Sequence, residues 1–500
     1  MKQYSLGIDI GTTSTKLILI SNDGKIVCEA SQAHNLISLH RNWAEENADE
    51  WWQNVLDALK EIKEKAPEEY KQISCIGCTG MVPAIVLLDK DGNVLRNTIQ
   101  QNDARCMDQI EYLTAKIDQN ELYSRTGGKT NQQHILPRLL WVKENEADVW
   151  DKVDCVMGSY DYILYKLSGE KVVELNWAAE SGCFDIRTKE WITDYVTLCD
   201  MNPAMLPAVK DPMEIAAKTS AEIEELTGLP CGIPIVGGSA DHVASTLASG
   251  IIDEGDLLIK FGGAGDILYC TEELKTSDKL FFDYHDVPNK YLLNGCMASS
   301  GSLVKWFTHD ILRSDDKDIL KELDAEAEKL PPASDGLIIL PYFLGEKTPI
   351  FDPSARGIMF GLTLSHGYAH IFKAIMESVV YGFRHHIDVL TEMGYKPKQV
   401  IASDGGAKSP LWCQISADIL NADIKAYPSH PGSGLGVAFV AGMGIGMFKD
   451  WSEIKIFLSD YKEYKPNPDA VKVYEKAYQV YRRLYPELKE DCSLLEQLYK

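Results

Sequence analysis

The first thirty residues alternate between apolar and polar positions, a pattern that predicts strands. Residues 4–10 and 16–20 form two such runs, and residues 25–30 form a third after the turn signal Asn-Asp-Gly at 22–24. Helical periodicity follows at residues 51–65 and 136–145. Because hairpins of antiparallel strands alternate with helices, we expect a mixed α/β fold.

A second unit is predicted to begin near residue 250, where strand, glycine-rich loop and strand follow one another as they do at the start of the chain. The length of 500 residues suits two or three domains. We expect an N-terminal domain at 1–247, a second domain at 248–450 and a charged helical extension at 451–500. A long amphipathic helix is predicted at 370–390, with apolar residues every four positions.

The formal net charge of −24 makes nucleic acid and anionic membrane surfaces unfavourable partners. The N-terminus lacks the apolar core of a signal peptide, and no apolar run approaches the ~18 residues of a membrane span. The 12 cysteines are scattered singly, as in a reduced compartment. These features predict a cytoplasmic protein.

Residues 9–16 (DIGTTSTK) place an aspartate at the end of an apolar strand, followed by a loop of one glycine and four hydroxyl residues. Such a loop can direct N–H groups and hydroxyls at phosphate oxygens, and Lys16 adds positive charge. Asp9 is placed to hold hydrated Mg²⁺, which prefers oxygen ligands. The alternative is a hairpin whose turn is simply rich in Thr and Ser.

Two further glycine-rich turns are candidates for ligand binding. Residues 260–266 (KFGGAGD) lie between two predicted strands, and residues 403–412 (SDGGAKSPLW) join a strand to a helix. Small residues let the backbone approach a phosphate or a flat ligand closely. Plain turns without a ligand are the alternative for both.

Asp241 follows Gly-Gly-Ser-Ala at the end of an apolar strand, near the predicted domain junction. It is a candidate general base, and an N-cap of the next helix is the alternative, although the two roles can coexist. In residues 98–105 (TIQQNDAR), neighbouring polar side chains after a strand indicate a ligand-reading loop or a solvated loop that caps the following helix.

In this order, the motifs together resemble the FGGY carbohydrate kinases of the actin/hexokinase-like ATPase superfamily. The resemblance covers roughly residues 4–445. It rests on GIDIGTTSTK, NWAEENADEWW, NDAR, HILPRLLWV, GGSADHVAS, SDGGAKSPLW and a family signature at 357–377. It implies two ribonuclease-H-like α/β domains with a cleft between them, and an ATP-dependent sugar kinase that binds sugar mainly on the first domain and ATP mainly on the second.

The resemblance also implies residue roles. Asp241 would accept the proton of the attacking sugar hydroxyl, and Asp9 would organise Mg²⁺. The implied nucleotide contacts are Thr12, Thr13, Ser14, Lys16, Gly262, Gly263, Gly265, Gly301, Lys305, Gly405, Gly406 and Ser409. The implied sugar contacts are Met81, Val82, Gln101, Asp103, Asp241 and His242. Dimers are common among relatives, so a homodimer is one expectation.

The sequence departs from the xylulokinase subfamily at the implied sugar site. Xylulokinases carry Gln-Met-His-Gly where this chain has MVPA at 81–84. They carry Trp at the position of Gln101, Asn or Gln at that of His242, and Thr at that of Gly263. We therefore expect a xylulokinase-like enzyme with an altered pocket for a small sugar or polyol, most simply a pentulose-like ketose. A kinase for a hexose acid or deoxyketose and a catalytically silent ATP-binding sensor are the alternatives. The role of Asp266 stays open.

Overall fold

The computed structural model describes residues 2–40, 42–314, 316, 318–427, 429 and 432–498. The chain forms two compact units. Unit 1 comprises residues 1–252, 282–291 and 431–458, and unit 2 comprises residues 253–281, 292–430 and 459–500. In the described part of the chain, no helix combines the length and apolarity needed to cross a membrane.

The strands are numbered in chain order. They are β1 Tyr4–Ile10, β2 Ser14–Ser21, β3 Lys25–Ala33, β4 Glu45–Glu46, β5 Ile73–Gly80, β6 Val86–Leu88, β7 Thr98–Ile99, β8 Cys155–Met157, β9 Val172–Glu174, β10 Phe184–Asp185, β11 Glu190–Trp191, β12 Ala208–Lys210, β13 Ile215–Lys218, β14 Pro234–Val236, β15 Ser239–Ala240, β16 Asp256–Phe261, β17 Gly265–Thr271, β18 Phe281–Tyr284, β19 Tyr291–Met297, β20 Ile338–Leu340, β21 Ile358–Phe360, β22 Gln399–Ser403, β23 Ile424–Ala426 and β24 Lys462–Tyr464.

The α-helices are numbered in the same way. They are α1 Ala48–Lys65, α2 Pro67–Tyr70, α3 Met107–Lys116, α4 Gln119–Thr126, α5 Ile135–Asn145, α6 Ala147–Trp150, α7 Ser159–Ser168, α8 Leu175–Glu180, α9 Thr193–Leu198, α10 Ala221–Thr227, α11 Asp241–Ala248, α12 Gly301–Trp306, α13 Ile319–Glu328, α14 Tyr368–Glu392, α15 Pro410–Leu420, α16 Gly432–Gly444 and α17 Pro468–Gln497.

The main sheet of unit 1 is mixed, with strand order β13-β14-β5-β1-β2-β3 and β15 paired to β5. β1 and β2 form the antiparallel hairpin that the sequence predicts. β5 runs parallel to β1 on one side and to β15 on the other. The carboxyl ends of β1, β5 and β15 therefore lie next to one another, where ligands bind in open α/β sheets.

Helix α16 returns to unit 1 from late in the chain, although the sequence places residues 431–450 in the second domain. The helix is apolar on all sides, which is typical of a buried helix. A Cβ on Gly7 would lie 2.0 Å from the Gly434 carbonyl oxygen, and a Cβ on Gly436 would lie 2.0 Å from that of Ala244. Glycine at these positions lets α16 pack directly against β1 and α11.

The second sheet is also mixed, with strand order β18-β19-β17-β16-β22-β23-β24. The predicted long helix is α14, whose apolar face joins the core of unit 2. The segment expected as a helical extension is mixed in structure. It has a 3₁₀ helix at Trp451–Phe457 in unit 1, then β24 at the sheet edge, and only then α17, whose Tyr474, Tyr478 and Tyr481 enter the core of unit 2.

Candidate active site

The register of unit 1 brings two predicted site residues to one edge of the sheet. Asp9 lies opposite Thr79, and Thr79 lies opposite Ser239 on the other side. Asp241 is the second residue after Ser239. Because neighbouring strands lie about 4.8 Å apart, Asp9 and the strand that leads to Asp241 are separated by about 10 Å across β5.

Asp9 is buried at the end of β1, with 9% of its surface exposed. Its Oδ2 accepts a hydrogen bond of 2.7 Å from the Ser433 hydroxyl at the start of α16. The following loop closes with a hydrogen bond of 3.1 Å from Gly11 N–H to the Ser14 carbonyl. The loop residues Thr12 and Thr13 are exposed, as is Lys16 on β2. The structure thus presents the predicted loop to solvent.

The buried pair of His34 and Glu46 contacts this loop. His34 Nε2 lies 2.8 Å from the Gly11 carbonyl oxygen and 3.2 Å from Glu46 Oε2. Since both neighbours only accept, Nε2 carries the proton. Burial lowers the pKa of His34, but the Glu46 carboxylate outweighs burial and the net pKa is raised. Glu46 also accepts 2.8 Å from Trp51 Nε1, which fixes the pair to α1.

Asp241 is the first residue of α11, and Ala240 takes the N-cap position. The N-cap interpretation of Asp241 is therefore wrong by one residue, because β15 continues to Ala240 before the helix begins. Asp241 Oδ1 accepts 2.6 Å from the His242 backbone N–H. The side chain is 38% exposed, which leaves the rest of the carboxylate open to a ligand.

His242 is surrounded by carboxylates. Its Nδ1 lies 3.4 Å from Asp241 Oδ1, and its Nε2 lies 3.2 Å from Asp283 Oδ2 and 3.8 Å from Glu180 Oε1. Burial lowers the pKa of His242, but the nearby Asp283, Asp241 and Glu180 raise it well above its usual value. Burial, followed by the charge of Asp283, raises the pKa of Glu180.

The predicted sugar residues after β5 and β7 differ in how available they are. Met81 and Val82 are buried, with 1% and 6% of their surface exposed. Gln101 is half-buried, and its Oε1 has no hydrogen-bond partner within the described part of the chain. It can therefore accept from a ligand.

Asp103, by contrast, is fully buried and its carboxylate is occupied. Arg105 donates to it through Nε at 2.9 Å and Nη2 at 2.7 Å, and the Ala44 backbone N–H donates at 2.6 Å. Arg105 in turn stacks 3.8 Å from the centre of the Trp43 ring. These contacts give Asp103 a role in holding the loop, while few of its lone pairs remain for a sugar.

In unit 2, the register of the sheet likewise places the predicted nucleotide motifs next to one another. β16 and β22 are parallel, with Lys260 opposite Ser403, so the loop at 262–264 and the turn at 404–406 leave neighbouring strand ends. Gly301 N–H donates 2.8 Å to the Gly262 carbonyl. A Cβ on Gly262 would lie 3.7 Å from Asp404 Oδ2. The three glycine-rich segments therefore lie side by side.

Gly301, at the start of α12, and Gly263, in the loop, differ in what surrounds them. A Cβ on Gly301 would lie 2.7 Å from the Gly262 carbonyl oxygen, so glycine is needed there for packing. A Cβ on Gly263 would meet no described atom within 4 Å. Gly263 therefore faces open space, in which a ligand fits.

Three other predicted nucleotide residues, Gly406, Ser409 and Gly265, have structural roles. A Cβ on Gly406 would lie 2.5 Å from Phe261 Cβ, so this glycine permits packing. The Ser409 hydroxyl caps α15 by accepting 3.1 Å from Trp412 N–H, and it donates 2.7 Å to Asp324. A Cβ on Gly265 would lie 3.2 Å from Ser300 Cβ, which is a tight contact. A Cβ on Gly405, by contrast, would come no closer than 3.7 Å, to the Phe261 carbonyl oxygen, so packing does not require glycine there.

Lys305 is exposed on α12. Asp266 lies opposite Lys260 in the β16–β17 register. Burial, followed by the charge of Asp266, raises the pKa of the Cys296 thiol. The side chain of Asp266 therefore lies close to Cys296 on β19.

The comparisons with known proteins match both halves of the chain. Residues 4–248 match the N-terminal domain of the FGGY family of carbohydrate kinases, and residues 268–445 match its C-terminal domain. This chain belongs to the FGGY family of carbohydrate kinases. The resemblance inferred from the motifs is confirmed, and so is an ATP-dependent sugar kinase with the actin/hexokinase-like two-domain fold.

Three relatives that match this FGGY kinase over nearly their whole length are named xylulose kinase or gluconokinase. The crystal structure of xylulose kinase from Rhodospirillum rubrum has a TM-score of 0.94 and 40% sequence identity, covering 98% of this chain and 100% of that chain. Xylulose kinase from Bacillus subtilis (strain 168) is 28% identical over 501 residues, 100% of each chain. Gluconokinase from the same organism is 27% identical over 511 residues, covering 100% of this chain and 97% of the relative.

Sequence reasoning missed several residues at the site of this FGGY kinase. Glu180 and Asp283 lie far from Asp241 in the chain, and Ser433 reaches Asp9 only because α16 returns to unit 1. The hydroxyls of Ser300 and Ser302, beside the glycine-rich loop, are buried and lack a hydrogen-bond partner among the residues described. The only sequence signal for these serines was their position on either side of Gly301, a predicted nucleotide contact.

Proposed function

We propose that this kinase transfers the γ-phosphoryl group of ATP to a hydroxyl of a small neutral sugar, most simply a pentulose-like ketose, with Asp241 as the general base. The observation that carries the proposal is the position of Asp241 at the start of α11, partly exposed, beside the strand ends that also hold Asp9. The names of the R. rubrum and B. subtilis xylulose kinases support the substrate class.

Each unit supplies a different part of the proposed chemistry. Unit 1 supplies Asp241, Asp9, the loop at Thr12 and Thr13, and the half-buried Gln101, whose Oε1 is unpaired among the described residues and suits a sugar hydroxyl. Unit 2 supplies the loop at 262–264 and the hydroxyls of Ser300 and Ser302, which no described residue pairs and which suit phosphate oxygens. Phosphoryl transfer depends mainly on such positioning and on charge neutralisation.

In the proposed reaction, the sugar hydroxyl oxygen forms a bond to the γ-phosphorus while the bond to the bridging oxygen of ADP breaks. The hydroxyl proton goes to the Asp241 carboxylate. The products are the sugar phosphate and ADP. Asp241 Oδ1 is already held by the His242 N–H, so the other carboxylate oxygen is the one that accepts the proton.

The residues around Asp9 fit a magnesium ion. The Asp9 carboxylate lies beside the Ser433 hydroxyl, and the hydroxyls of Thr12 and Thr13 follow it closely in sequence. Oxygen is the ligand type that Mg²⁺ prefers. We propose that Asp9 holds Mg²⁺, which when bound neutralises part of the phosphate charge.

The test is a coupled ADP-release assay with ATP and Mg²⁺ over a panel of pentuloses, hexuloses, polyols and sugar acids. We expect one pentulose to be turned over far above ATP hydrolysis without sugar, and excess chelator to return the rate to background. A panel with no compound above background would contradict the kinase substrate class. Preferred turnover of gluconate would place the chain with its gluconokinase relatives instead.

A further inference from the structure

Both ring nitrogens of His242 face carboxylates. Nδ1 faces Asp241 Oδ1 at 3.4 Å, and Nε2 faces Asp283 Oδ2 at 3.2 Å, with Glu180 Oε1 at 3.8 Å. An ionised carboxylate only accepts hydrogen bonds, so this arrangement suits an imidazole that carries a proton on each nitrogen. No ring nitrogen is then left for a sugar hydroxyl.

The structure fixes Asp283 and Glu180 with a backbone clamp. Asn176 on α8 donates 3.0 Å from Nδ2 to the Tyr284 carbonyl and accepts 2.8 Å from the Tyr284 N–H. Asn176 is fully buried. Glu180 ends the same helix, and Asp283 precedes Tyr284 on β18. The clamp thus sets the two carboxylates at a fixed distance on one side of the His242 ring.

Asp283 is a buried carboxylate that a positive charge beside it would stabilise. Its side chain is 1% exposed, and its Oδ1 finds no hydrogen-bond donor within the part of the chain that the structure describes. A buried carboxylate is costly unless it is paired, and His242 is the charged neighbour at 3.2 Å. The other titratable groups that face this ring are Asp241, Glu180 and Asp286. Burial raises the pKa of Asp286 to about 7, although a hydrogen bond from Ser239 and the charge of His242 act to lower it.

We propose that Asp283, with Glu180, holds His242 as a positioning residue for the general base Asp241, rather than as a residue that reads the sugar. This inference rests on the proposed function, because it takes Asp241 as the base. Asp241 Oδ1 is then held from two sides, by the backbone N–H of His242 at 2.6 Å and by its ring. The other oxygen is left in a fixed direction for the sugar proton.

The proposal replaces the role that the sequence predicted for His242. A residue that reads the sugar lowers KM when it is present, whereas a residue that orients the base acts on kcat. The two roles therefore differ in which kinetic constant they change.

The experiment compares His242→Gln and Asp283→Asn with wild type and with His309→Gln, an exposed histidine of unit 2. Initial rates are measured against sugar concentration from pH 5 to 9, with the best substrate of the panel. For His242→Gln we expect kcat about tenfold lower and KM for the sugar within about twofold of wild type. Asp283→Asn should lower kcat in the same way, and His309→Gln should change neither constant.

Several outcomes would overturn the proposal. One is a tenfold rise in KM for the sugar in His242→Gln with kcat unchanged, since His242 would then contact the sugar. Another is a transition metal, one per chain by elemental analysis of the wild type, that is lost in Asp283→Asn, since the cluster would then be a metal site. If Asp283→Asn does not fold, His242→Gln decides alone. Full activity of Asp241→Asn would instead refute the base assignment on which the proposal depends.

Discussion

Adding one methyl group to the glycine-rich loop tests whether unit 2 binds phosphate there. In Gly263→Ala the new Cβ would meet no described atom within 4 Å, and φ lies outside the left-handed region. The folded protein therefore has room for the methyl group. We expect the melting temperature to stay within about 1 °C of wild type, since surface changes away from special features usually cost under about 0.5 kcal/mol.

The cost should appear only when ATP is bound. If phosphate oxygens contact the backbone at Gly263, a methyl group in that space must displace them. Overpacking typically costs about 1–3 kcal/mol, which corresponds to a rise in KM for ATP of about 5- to 150-fold. KM for the sugar should change little, because the loop belongs to unit 2 and the proposed sugar residues belong to unit 1.

Two other glycine variants make the result interpretable. Gly367→Ala also places its Cβ in open space, on the loop before α14, and should leave both KM values unchanged. Gly301→Ala would place its Cβ 2.7 Å from the Gly262 carbonyl oxygen and should lower stability as well as ATP affinity. An unchanged KM for ATP in Gly263→Ala would refute the phosphate role of this loop.

Two more predictions separate structure from chemistry. Ser409→Ala removes the cap of α15 and the bond to Asp324, so chemical denaturation should show a loss of about 1 kcal/mol while KM for ATP stays the same; a large rise in KM would restore the predicted nucleotide contact. Glu174, which caps α8, has a pKa that burial raises from 4.5 to about 8. The folded state keeps this proton while the unfolded state releases it, so stability falls between about pH 5 and 8 by at most about 1.4 kcal/mol per pH unit. Glu174→Gln should flatten that decline in denaturation curves measured at several pH values, and an unaltered slope would contradict the assignment.

The sequence was sufficient for the local features of the site. Alternation of apolar and polar residues predicted β1 and β2, and the break at Asp9 marked the loop that the structure presents to solvent. Turn residues likewise located the loop at 262–264 between β16 and β17. These features depend on neighbours in the chain, which is why periodicity and turn chemistry could reveal them.

The features that the sequence missed depend on contacts between distant segments. Asp283 reaches His242 because Asn176 clamps the backbone of the next residue, and no local pattern marks that clamp. Helix α16 joins unit 1 through glycine contacts, although a helix apolar on all sides is itself a sign of deep burial. The sequence also could not show that the side-chain oxygens of Asp103 and Ser409 are hydrogen-bonded within the protein.

The central claim is that Asp241 takes the proton of the sugar hydroxyl, and the most direct test is the kcat of Asp241→Asn with the best substrate of the panel. The matched control is Asp194→Asn, an exposed aspartate in the first turn of α9. We predict that Asp241→Asn lowers kcat by about 10²–10⁴-fold, or about 3–5 kcal/mol of barrier, while ATP binding and the control activity are retained. A kcat for Asp241→Asn within about twofold of wild type would contradict the account.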